Sequence, residues 1–178
     1  MTVSCVPVLI QQKVDGSDFF NRSWAEFKVG FNDTRGNYWL GNDLLSQLTL
    51  NRHYKLRFDL QTRNLTWYYA EYSSFLVYGE SRNYELQVSG YSGNAGDALD
   101  YHDGMMFTTH DRDNDRHGNN INCAVNGGGF WYNACFTCGV NCFRGRATGG
   151  RGVNDYFYWN TARIGRLHLQ TTRMWLMC

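Results

Sequence analysis

The stretch from His110 to Cys142 constrains the fold most, because it combines alternating carboxylates and closely spaced cysteines with no apolar period. Asp111, Asp113 and Asp115 alternate within it, so their mutual repulsion is costly unless a cation or hydrogen-bond donors gather them. Calcium (Ca2+), which takes about six to eight oxygen ligands, suits such a loop. The alternative interpretation is a solvated polar turn in which these side chains cap their own backbone.

The spacing does not match an EF-hand. Counted from Asp111, Arg116 stands where an EF-hand loop needs glycine, and Asn122 stands where it needs a bidentate glutamate. The flanking sequence also lacks a helical period. The loop therefore predicts either a calcium site of another geometry or a polar turn.

Length and cysteine content favour one extracellular domain over residues 1–178. The six cysteines form an even set, and the chain carries glycosylation sequons at Asn21, Asn32 and Asn64. Together these features favour a secreted glycoprotein with disulfide bonds. The segment before Val8 has neither the basic nor the apolar part of a signal peptide, and no apolar run is long enough to span a membrane.

Charge is balanced overall but uneven along the chain. The formal net charge of +1 argues against a general polyanion binder, so no nucleic-acid partner is expected. Residues 97–115 contain six Asp and one Arg, whereas residues 140–178 contain six Arg and one Asp. The first segment suits a cation, and the second suits either an anionic ligand or a solvated surface.

Periodicity predicts two short helices. Asn21 or Ser23 can cap the first, whose apolar face would carry Trp24, Phe27 and Val29. The second helix is predicted after Gly41, and its inward residues would be Leu44, Leu45 and Leu48.

Alternation with a period of two predicts an antiparallel meander. The predicted strands are residues 8–12, 54–60, 66–72, 75–78 and 84–88. From about residue 90 to 155 this alternation gives way to Gly, Asn and Asp. So long an irregular region usually needs disulfide stapling or a bound ion.

A set of motifs in fixed order identifies a family resemblance over residues 8 to about 160. The motifs are Asp-Arg-Asp-Asn-Asp at 111–115, Asn-Cys-Ala at 122–124, Gly-Gly-Phe-Trp-Tyr-Asn-Ala-Cys at 128–135, Tyr-Trp-Leu-Gly-Asn-Asp at 38–43, Tyr-Ser-Gly-Asn-Ala-Gly-Asp-Ala-Leu at 91–99 and His-Asp-Gly-Met-Met-Phe-Thr-Thr at 102–109. They resemble the fibrinogen C-terminal (fibrinogen-related) domain, as in ficolins, tachylectins, angiopoietins and tenascins.

The resemblance implies an α+β fold, with a central twisted antiparallel sheet, short helices and a largely irregular, disulfide-stapled calcium and ligand subdomain at residues 90–165. The family normally has a further stretch upstream, with two cysteines and a Gly-Gly-Gly-Trp run. That stretch is missing here, so we expect a truncated or mis-started chain.

The resemblance also implies a calcium site. Asp113 and Asp115 would be side-chain ligands, His117 and Asn119 would supply backbone carbonyls, and Asp111 would stand behind them. This chain has two extra residues between Asp115 and the next cysteine compared with the common family spacing.

A ligand pocket is implied beside that site. Cys123 and Cys135 would form the family's disulfide, contributing about 3 kcal/mol through chain entropy. In lectin members a cis peptide, here Ala134–Cys135, precedes a histidine that helps to bind acetyl groups. Phe136 replaces that histidine and cannot donate a hydrogen bond. The implied ligand-binding residues are Trp131, Tyr132, Ala134, Phe136 and Tyr158, although core packing is an equal interpretation of the buried-type aromatics.

Cys138 and Cys142 follow the second cysteine at short spacing. A zinc site would need a fourth ligand, and no histidine lies in the segment, so a local Cys138–Cys142 bridge is predicted. The pairing of Cys5 with Cys178, or with other chains, stays open. The histidines show no metal-ligand spacing, and we expect His102 to be a solvated loop residue.

These features predict a secreted calcium-dependent recognition domain that binds carbohydrate or acetylated ligands, in the manner of innate-immune lectins. The alternative is an extracellular protein-interaction module for a receptor or matrix partner, and a fragment without activity is the third possibility. No enzyme motif is present, because Gly90 to Asn94 misses the last position of the nucleophile elbow. A homo-oligomer is compatible with either function.

Overall fold

A computed structural model describes residues 6–142 and 156–178 of the protein. Its α-helices are α1 (Trp24–Val29), α2 (Asn42–Asn51) and α3 (Ala124–Gly127). Its strands are β1 (Val8–Lys13), β2 (Phe31–Asn32), β3 (Tyr38–Trp39), β4 (Tyr54–Thr62), β5 (Trp67–Val77), β6 (Leu86–Gly93), β7 (Phe107–Thr108), β8 (Phe130–Trp131), β9 (Tyr158–Thr161) and β10 (Gly165–Met177). Two 3-10 turns, Glu80–Arg82 and Asp100–His102, complete the elements of these residues.

One large antiparallel sheet organises the domain. Its strand order is β2-β3-β1-β10-β4-β5-β6, and β9 pairs with β10 beside this path. Strand β10 therefore lies at the centre, with Arg173 opposite both Gln12 of β1 and Asp59 of β4. The predicted fold class, an α+β domain with a central antiparallel sheet and short helices, is confirmed.

Strand β4 shows how the two faces of the sheet differ. Leu56, Phe58 and Leu60 are fully buried, while Arg57 and Asp59 between them are partly exposed. This is the alternation that the sequence predicts, since successive side chains of a strand point to opposite faces. Each buried side chain contributes about 2 kcal/mol through removal of apolar surface from water.

Helix α1 begins at the residue that the sequence suggests. The Ser23 hydroxyl accepts a hydrogen bond from the Glu26 backbone, and the Glu26 carboxylate accepts one from Ser23, which forms a capping box. Phe27 is fully buried, but Val29 is 74 % exposed, so its predicted inward position is wrong. The chain turns away at Gly30, where φ is 93° and a β-carbon would lie 2.6 Å from the Leu40 carbonyl oxygen.

Helix α2 buries a narrower stripe than predicted. Leu45 is 1 % exposed and Thr49 is 5 % exposed, one turn further along the same face. Leu44 is 44 % exposed, so its predicted inward position is wrong. It precedes Leu45 by one residue and is therefore rotated by about 100° from that stripe.

Two strand predictions need correction. Residues 75–78 were expected to form a separate strand, but β5 continues through them to Val77 because it pairs with β6 over its second half. The strand expected at 84–88 begins at Leu86, since Tyr84 takes a left-handed conformation with φ of 50° after the 3-10 turn. Strand β10 was not predicted at all.

The irregular C-terminal half packs on the buried face of the sheet through aromatic rings. Phe58 of β4 contacts Trp159 with ring centroids 5.0 Å apart, and Phe75 of β5 contacts Trp131 at 6.4 Å. The core therefore lies between the sheet and this region. No helix in the described residues is long and apolar enough to cross a membrane.

Candidate functional site

The candidate site is built on a loop closed by a disulfide. Strands β7 and β8 pair with Phe107 opposite Trp131, and Cys123 and Cys135 form the disulfide with Cα atoms 5.1 Å apart. That separation is ordinary for a disulfide, and closing a loop of this size stabilises the fold by about 3 kcal/mol. The acidic segment and the segment after β8 are thereby held together.

The side chain of Asp111 binds to the start of helix α1, although Asp111 lies in the sequence of the acidic loop. Its Oδ1 accepts hydrogen bonds from the Trp24 backbone N–H at 2.9 Å and from the Thr109 hydroxyl at 2.7 Å. Although partial burial alone raises the pKa of Asp111, the bonds from Thr109 and Trp24 outweigh it and lower that pKa. Asp111 therefore anchors the start of α1 to the loop, which is a different role from the expected support of calcium ligands.

Asp113 and Asp115 lie next to each other at the turn. Asp113 accepts from the Asp115 backbone at 3.2 Å, while the two carboxylate oxygens of Asp115 accept from the backbones of His117 and Cys123, each at 2.7 Å. Partial burial, followed by the nearby Asp113, raises the pKa of Asp115 despite these two bonds. A cation beside the two carboxylates would relieve this repulsion.

The rest of the loop offers main-chain oxygens. Asn119 and Asn120 take left-handed conformations, with φ of 66° and 55°. The Gly118 carbonyl lies 2.7 Å from His117 Nδ1, but no described donor reaches the carbonyls of His117 or Asn119. Two carboxylates with two such carbonyls suit a hard cation that completes its shell with water.

The side chains alone do not form a metal cluster. In the described part of the chain, no three His, Cys, Asp or Glu side chains converge in a way that could hold a metal ion. A calcium ion at Asp113 and Asp115 would therefore depend on the carbonyl oxygens of the loop and on water as much as on carboxylates.

The segment after β8 reverses at the second cysteine. No peptide bond in the described residues is cis, so the predicted cis bond between Ala134 and Cys135 is wrong. Instead Cys135 has a φ of 62°, and a short antiparallel bridge pairs Asn133 with Cys135. A left-handed residue thus turns the chain at the second cysteine.

Two of the predicted ligand-binding rings lie inside the protein. Trp131 has no exposed surface, and its indole N–H donates to the Tyr84 carbonyl at 2.7 Å. Tyr132 is 1 % exposed, and its hydroxyl donates to the Gly128 carbonyl at 2.6 Å. Because side chains without accessible surface cannot contact a ligand, the prediction that these rings line a pocket is wrong. They support the loop from beneath.

The rest of the predicted pocket is a smaller aromatic wall, in which Ala134 is exposed, Phe136 and Tyr156 are partly exposed, and Tyr158 is largely buried at 9 % exposure. Phe136 is partly exposed, and its ring centroid lies 5.6 Å from that of Tyr158 and 5.9 Å from that of Tyr156. The Arg166 guanidinium carbon lies 4.2 Å from the Tyr158 ring centroid, and Ala134 is exposed on the same segment. We call Ala134, Phe136, Tyr156 and Tyr158 the aromatic wall.

A buried histidine fastens this segment, contrary to the expectation of a solvated loop residue. His102 has no exposed surface. Its Nε2 accepts from the Thr137 backbone N–H at 3.2 Å, so its proton lies on Nδ1, which donates to the Trp131 carbonyl at 2.6 Å. Burial lowers the pKa of His102 to about 4, although the bond to Trp131 acts in the opposite direction. Nothing in the local sequence distinguishes it from the exposed His110.

The predicted Cys138–Cys142 bridge does not form. Both residues carry buried thiols. Cys138 pairs its backbone with Trp159, whereas a β-carbon on Gly127 would lie 3.2 Å from the Cys142 sulfur. The turn between them is closed by the hydrogen bond from the Cys142 backbone N–H to the Gly139 carbonyl.

Sequence comparison decides the family. The family model for the fibrinogen beta and gamma chains, C-terminal globular domain, matches residues 3–177. The chain belongs to this family.

Relatives of this fibrinogen C-terminal domain have several different names. It is 40 % identical over 159 residues to fibroleukin of Bos taurus, 39 % identical over 168 residues to angiopoietin-related protein 1 of Mus musculus, and 40 % identical over 136 residues to human ficolin-3. These alignments cover 86 %, 93 % and 75 % of this chain, but only 36 %, 34 % and 45 % of the relatives. The chain thus spans about a third to less than half of the length of these relatives.

Solved structures share the fold of the fibrinogen C-terminal domain described here. The fibrinogen-like globe domain of human ANGPTL2 superposes with a TM-score of 0.82 at 36 % identity, covering 96 % of this chain and 79 % of that one. Lamprey fibrin D-dimer, complexed with the peptide ligand Gly-His-Arg-Pro-amide, superposes with a TM-score of 0.79 at 32 % identity, covering 94 % of this chain and 60 % of that one.

Some predicted features of this fibrinogen C-terminal domain lie outside the described residues. They include Cys5 and residues 143–155, which belong to the predicted subdomain at 90–165.

Proposed function

We propose that this domain is an extracellular, calcium-dependent recognition module that binds carbohydrate or acetylated ligands, as in innate-immune surface recognition. The observation that carries the proposal is the position of the partly exposed Phe136 directly after Cys135, whose disulfide leads to the acidic loop of Asp113 and Asp115. Ficolin-3 is among the relatives. No bond is made or broken in this function; affinity comes from a preformed surface.

Calcium would act on the shape of the loop. With Asp113, Asp115 and the carbonyls of His117 and Asn119 as ligands, the ion would neutralise the two carboxylates and fix the turn that leads to Cys123. Extracellular calcium sites of this kind often have dissociation constants of about 10⁻⁴–10⁻³ M, which suits permanent occupancy outside cells.

The aromatic wall would supply the ligand contacts. Phe136, backed by the largely buried Tyr158, can pack against a methyl or sugar face, but it has no donor for a carbonyl oxygen. Hydrogen bonds to a ligand would therefore come from main-chain groups of the segment around Ala134, whose course is fixed by His102 and Thr137.

Secretion and glycosylation are part of the same proposal. The side chains of Asn21, Asn32 and Asn64 are exposed, so all three sequons are accessible to glycan. The disulfide between Cys123 and Cys135 suits an oxidising compartment.

The second candidate function is an extracellular protein-interaction module without lectin activity. The observation that favours it is the loss of a donor at Phe136, together with relatives named angiopoietin-related protein 1 and tenascin. The same fold carries a peptide ligand in lamprey fibrin. A fold shared by such relatives does not decide between the two functions.

Retention on an N-acetylated resin tests the proposal. The folded domain is applied in millimolar calcium, then washed with EDTA or with free N-acetylglucosamine. Asp113→Asn removes the negative charge of one proposed calcium ligand, and Asp100→Asn is the matched control, because Asp100 is also an exposed carboxylate of the acidic segment. We expect retention in calcium, release by EDTA and by the sugar, and loss of retention in Asp113→Asn alone.

Two results contradict the proposal in different ways. A folded domain that binds calcium but passes through the resin is not an acetyl-binding lectin, and the protein-interaction function is then favoured. Retention that survives EDTA and Asp113→Asn would show that calcium does not organise the site.

A further inference from the structure

The solvent side of the sheet carries a cluster that the proposed function does not use. Arg173 of β10 lies opposite Asp59 of β4, Asp59 lies opposite Tyr69 of β5, and Trp67 lies two residues before Tyr69 on β5. Directly paired residues share a face, and residues two apart on a strand do so too. Arg57, Asp59, Trp67, Tyr69 and Arg173 therefore form one surface, which we call the outer sheet face.

Arginine and aromatic side chains stack on this face. The Arg57 guanidinium carbon lies 4.8 Å from the Tyr69 ring centroid, and that of Arg173 lies 5.5 Å from the Trp67 ring centroid. Trp67 is nevertheless 46 % exposed. A single exposed apolar residue is ordinary, but an exposed indole held beside a cation offers a flat apolar surface and a charge together.

The two arginines of the outer sheet face differ in their partners. Arg57 is paired with Asp59 at 2.8 Å and with Glu71 at 3.2 Å. Arg173 donates from Nε to the neutral Gln12 Oε1 at 2.8 Å, and no carboxylate of the described residues forms an ion pair with it. Asp59, its cross-strand neighbour, instead accepts from Arg57 and from the Trp175 indole. The charge of Arg173 is therefore available to an external anion.

The face is concave where these residues meet. A depression of about 290 Å³ is lined by the outer sheet face and Tyr68. Of the arginine excess in residues 140–178, Arg173 lines this depression.

We propose that the outer sheet face binds an acidic oligosaccharide, a sugar chain that carries sulfate or carboxylate groups. A pyranose ring would pack on Trp67 while its anionic group is bound by Arg173, whose planar guanidinium suits bidentate contact with such anions. The formal net charge of the whole chain is only +1, which makes this a local site rather than a general polyanion surface.

This site is distinct from the calcium loop. Arg57 and Asp59 flank Phe58, whose side chain points to the opposite face and contacts Trp159. The sheet therefore separates the outer sheet face from the aromatic wall. Binding of the acidic sugar at the outer sheet face should persist in EDTA, whereas the proposed lectin function requires calcium. A negative result in one assay therefore does not imply a negative result in the other.

Calorimetric titration in EDTA with a heparin-derived octasaccharide tests the inference. The comparison ligands are the desulfated octasaccharide, which keeps its carboxylates, a neutral chito-oligosaccharide of equal length, and a poly-glutamate peptide. Trp67→Ala and Arg173→Gln remove the two proposed contacts. Arg82→Gln is the control, because Arg82 is an exposed arginine that stacks on Tyr78 outside the outer sheet face.

We expect each of the two site variants to weaken octasaccharide binding about tenfold, and Arg82→Gln to change it less than twofold. Near-UV circular dichroism checks folding, and Trp67→Phe, which keeps a ring, should retain most of the affinity. Comparison of the sulfated and desulfated sugars identifies the preferred anion.

Several results would overturn the inference. They are absence of binding by the folded wild type, equal losses in Arg82→Gln and Arg173→Gln, no loss in Trp67→Ala, equal affinity for the neutral sugar, and equal affinity for the peptide.

Discussion

Replacement of His102 by glutamine should reduce the decrease in the free energy of unfolding at acidic pH. His102 is fully buried and neutral, with an ordinary pKa of 6.5 in the unfolded chain and about 4 in the folded one. Between these pH values the unfolded chain binds more protons than the folded chain. The contribution of neutral His102 to the free energy of unfolding is therefore fully present above pH 6.5 and is lost as the pH decreases toward 4. The difference of 6.5 − 4 = 2.5 units corresponds to about 3 kcal/mol, at roughly 1.36 kcal/mol per unit.

Urea denaturation at several pH values between 7.5 and about 4, followed by tryptophan fluorescence, measures this loss directly. Glutamine can keep a donor for the Trp131 carbonyl and an acceptor for the Thr137 N–H, but it does not titrate. We expect His102→Gln to cost about 1–2 kcal/mol at pH 7 and to remove most of the decline below pH 6.5. His110→Gln, at an exposed histidine nearby, should leave the decline unchanged.

A pH profile of His102→Gln that parallels the wild type would refute this reasoning, because carboxylates would then account for the whole decline. Equal flattening in His110→Gln would refute it as well, since the effect would not depend on burial.

Three further changes have expected outcomes. Cys135→Ser should lower the free energy of unfolding by about 3 kcal/mol through loss of the disulfide, measured by urea titration; an unchanged midpoint contradicts this. Phe27→Ala should cost about 3–5 kcal/mol, whereas the exposed Val29→Ala should cost less than about 0.5 kcal/mol, and similar losses would refute the described burial. Millimolar calcium should raise the Tm of the wild type but not that of Asp113→Asn, and equal shifts would place the ion elsewhere.

The sequence was informative where a local rule acts alone. Strand β4 alternates without interruption, and its buried Leu56 and Phe58 follow directly from period two. The start of α1 follows from Ser23 and Glu26 three residues apart, since both halves of a capping box are local. Such features need no knowledge of the remaining chain.

The sequence pattern does not predict the central strand β10, because the alternation of buried and exposed residues is interrupted within it. Its register against β4 shifts between Leu169 and Thr171, and both Thr171 and Thr172 are buried. This irregularity places two neighbouring residues inside, so the alternation changes phase within one strand. Periodicity alone therefore indicates two short, separate runs of alternating residues instead of one long strand.

The site was predicted less completely than the fold. Motif resemblance placed Cys123 and Cys135 together, but it could not show that Trp131 is buried by rings from β5 and β7. The role of His102 depends on Thr137, which is 35 residues away, and no local pattern encodes that contact.

The position of β10 also bears on how the protein is made. Val8 of β1 pairs with Leu176, so β1 has no partner on that side until the ribosome has released almost all of the intervening chain. Strands β4, β5 and β6 can pair early, but they expose an unpaired edge at β4 in the meantime. Such distant pairing predicts slow folding, and a premature stop before residue 165 should yield an aggregating product rather than a smaller folded domain.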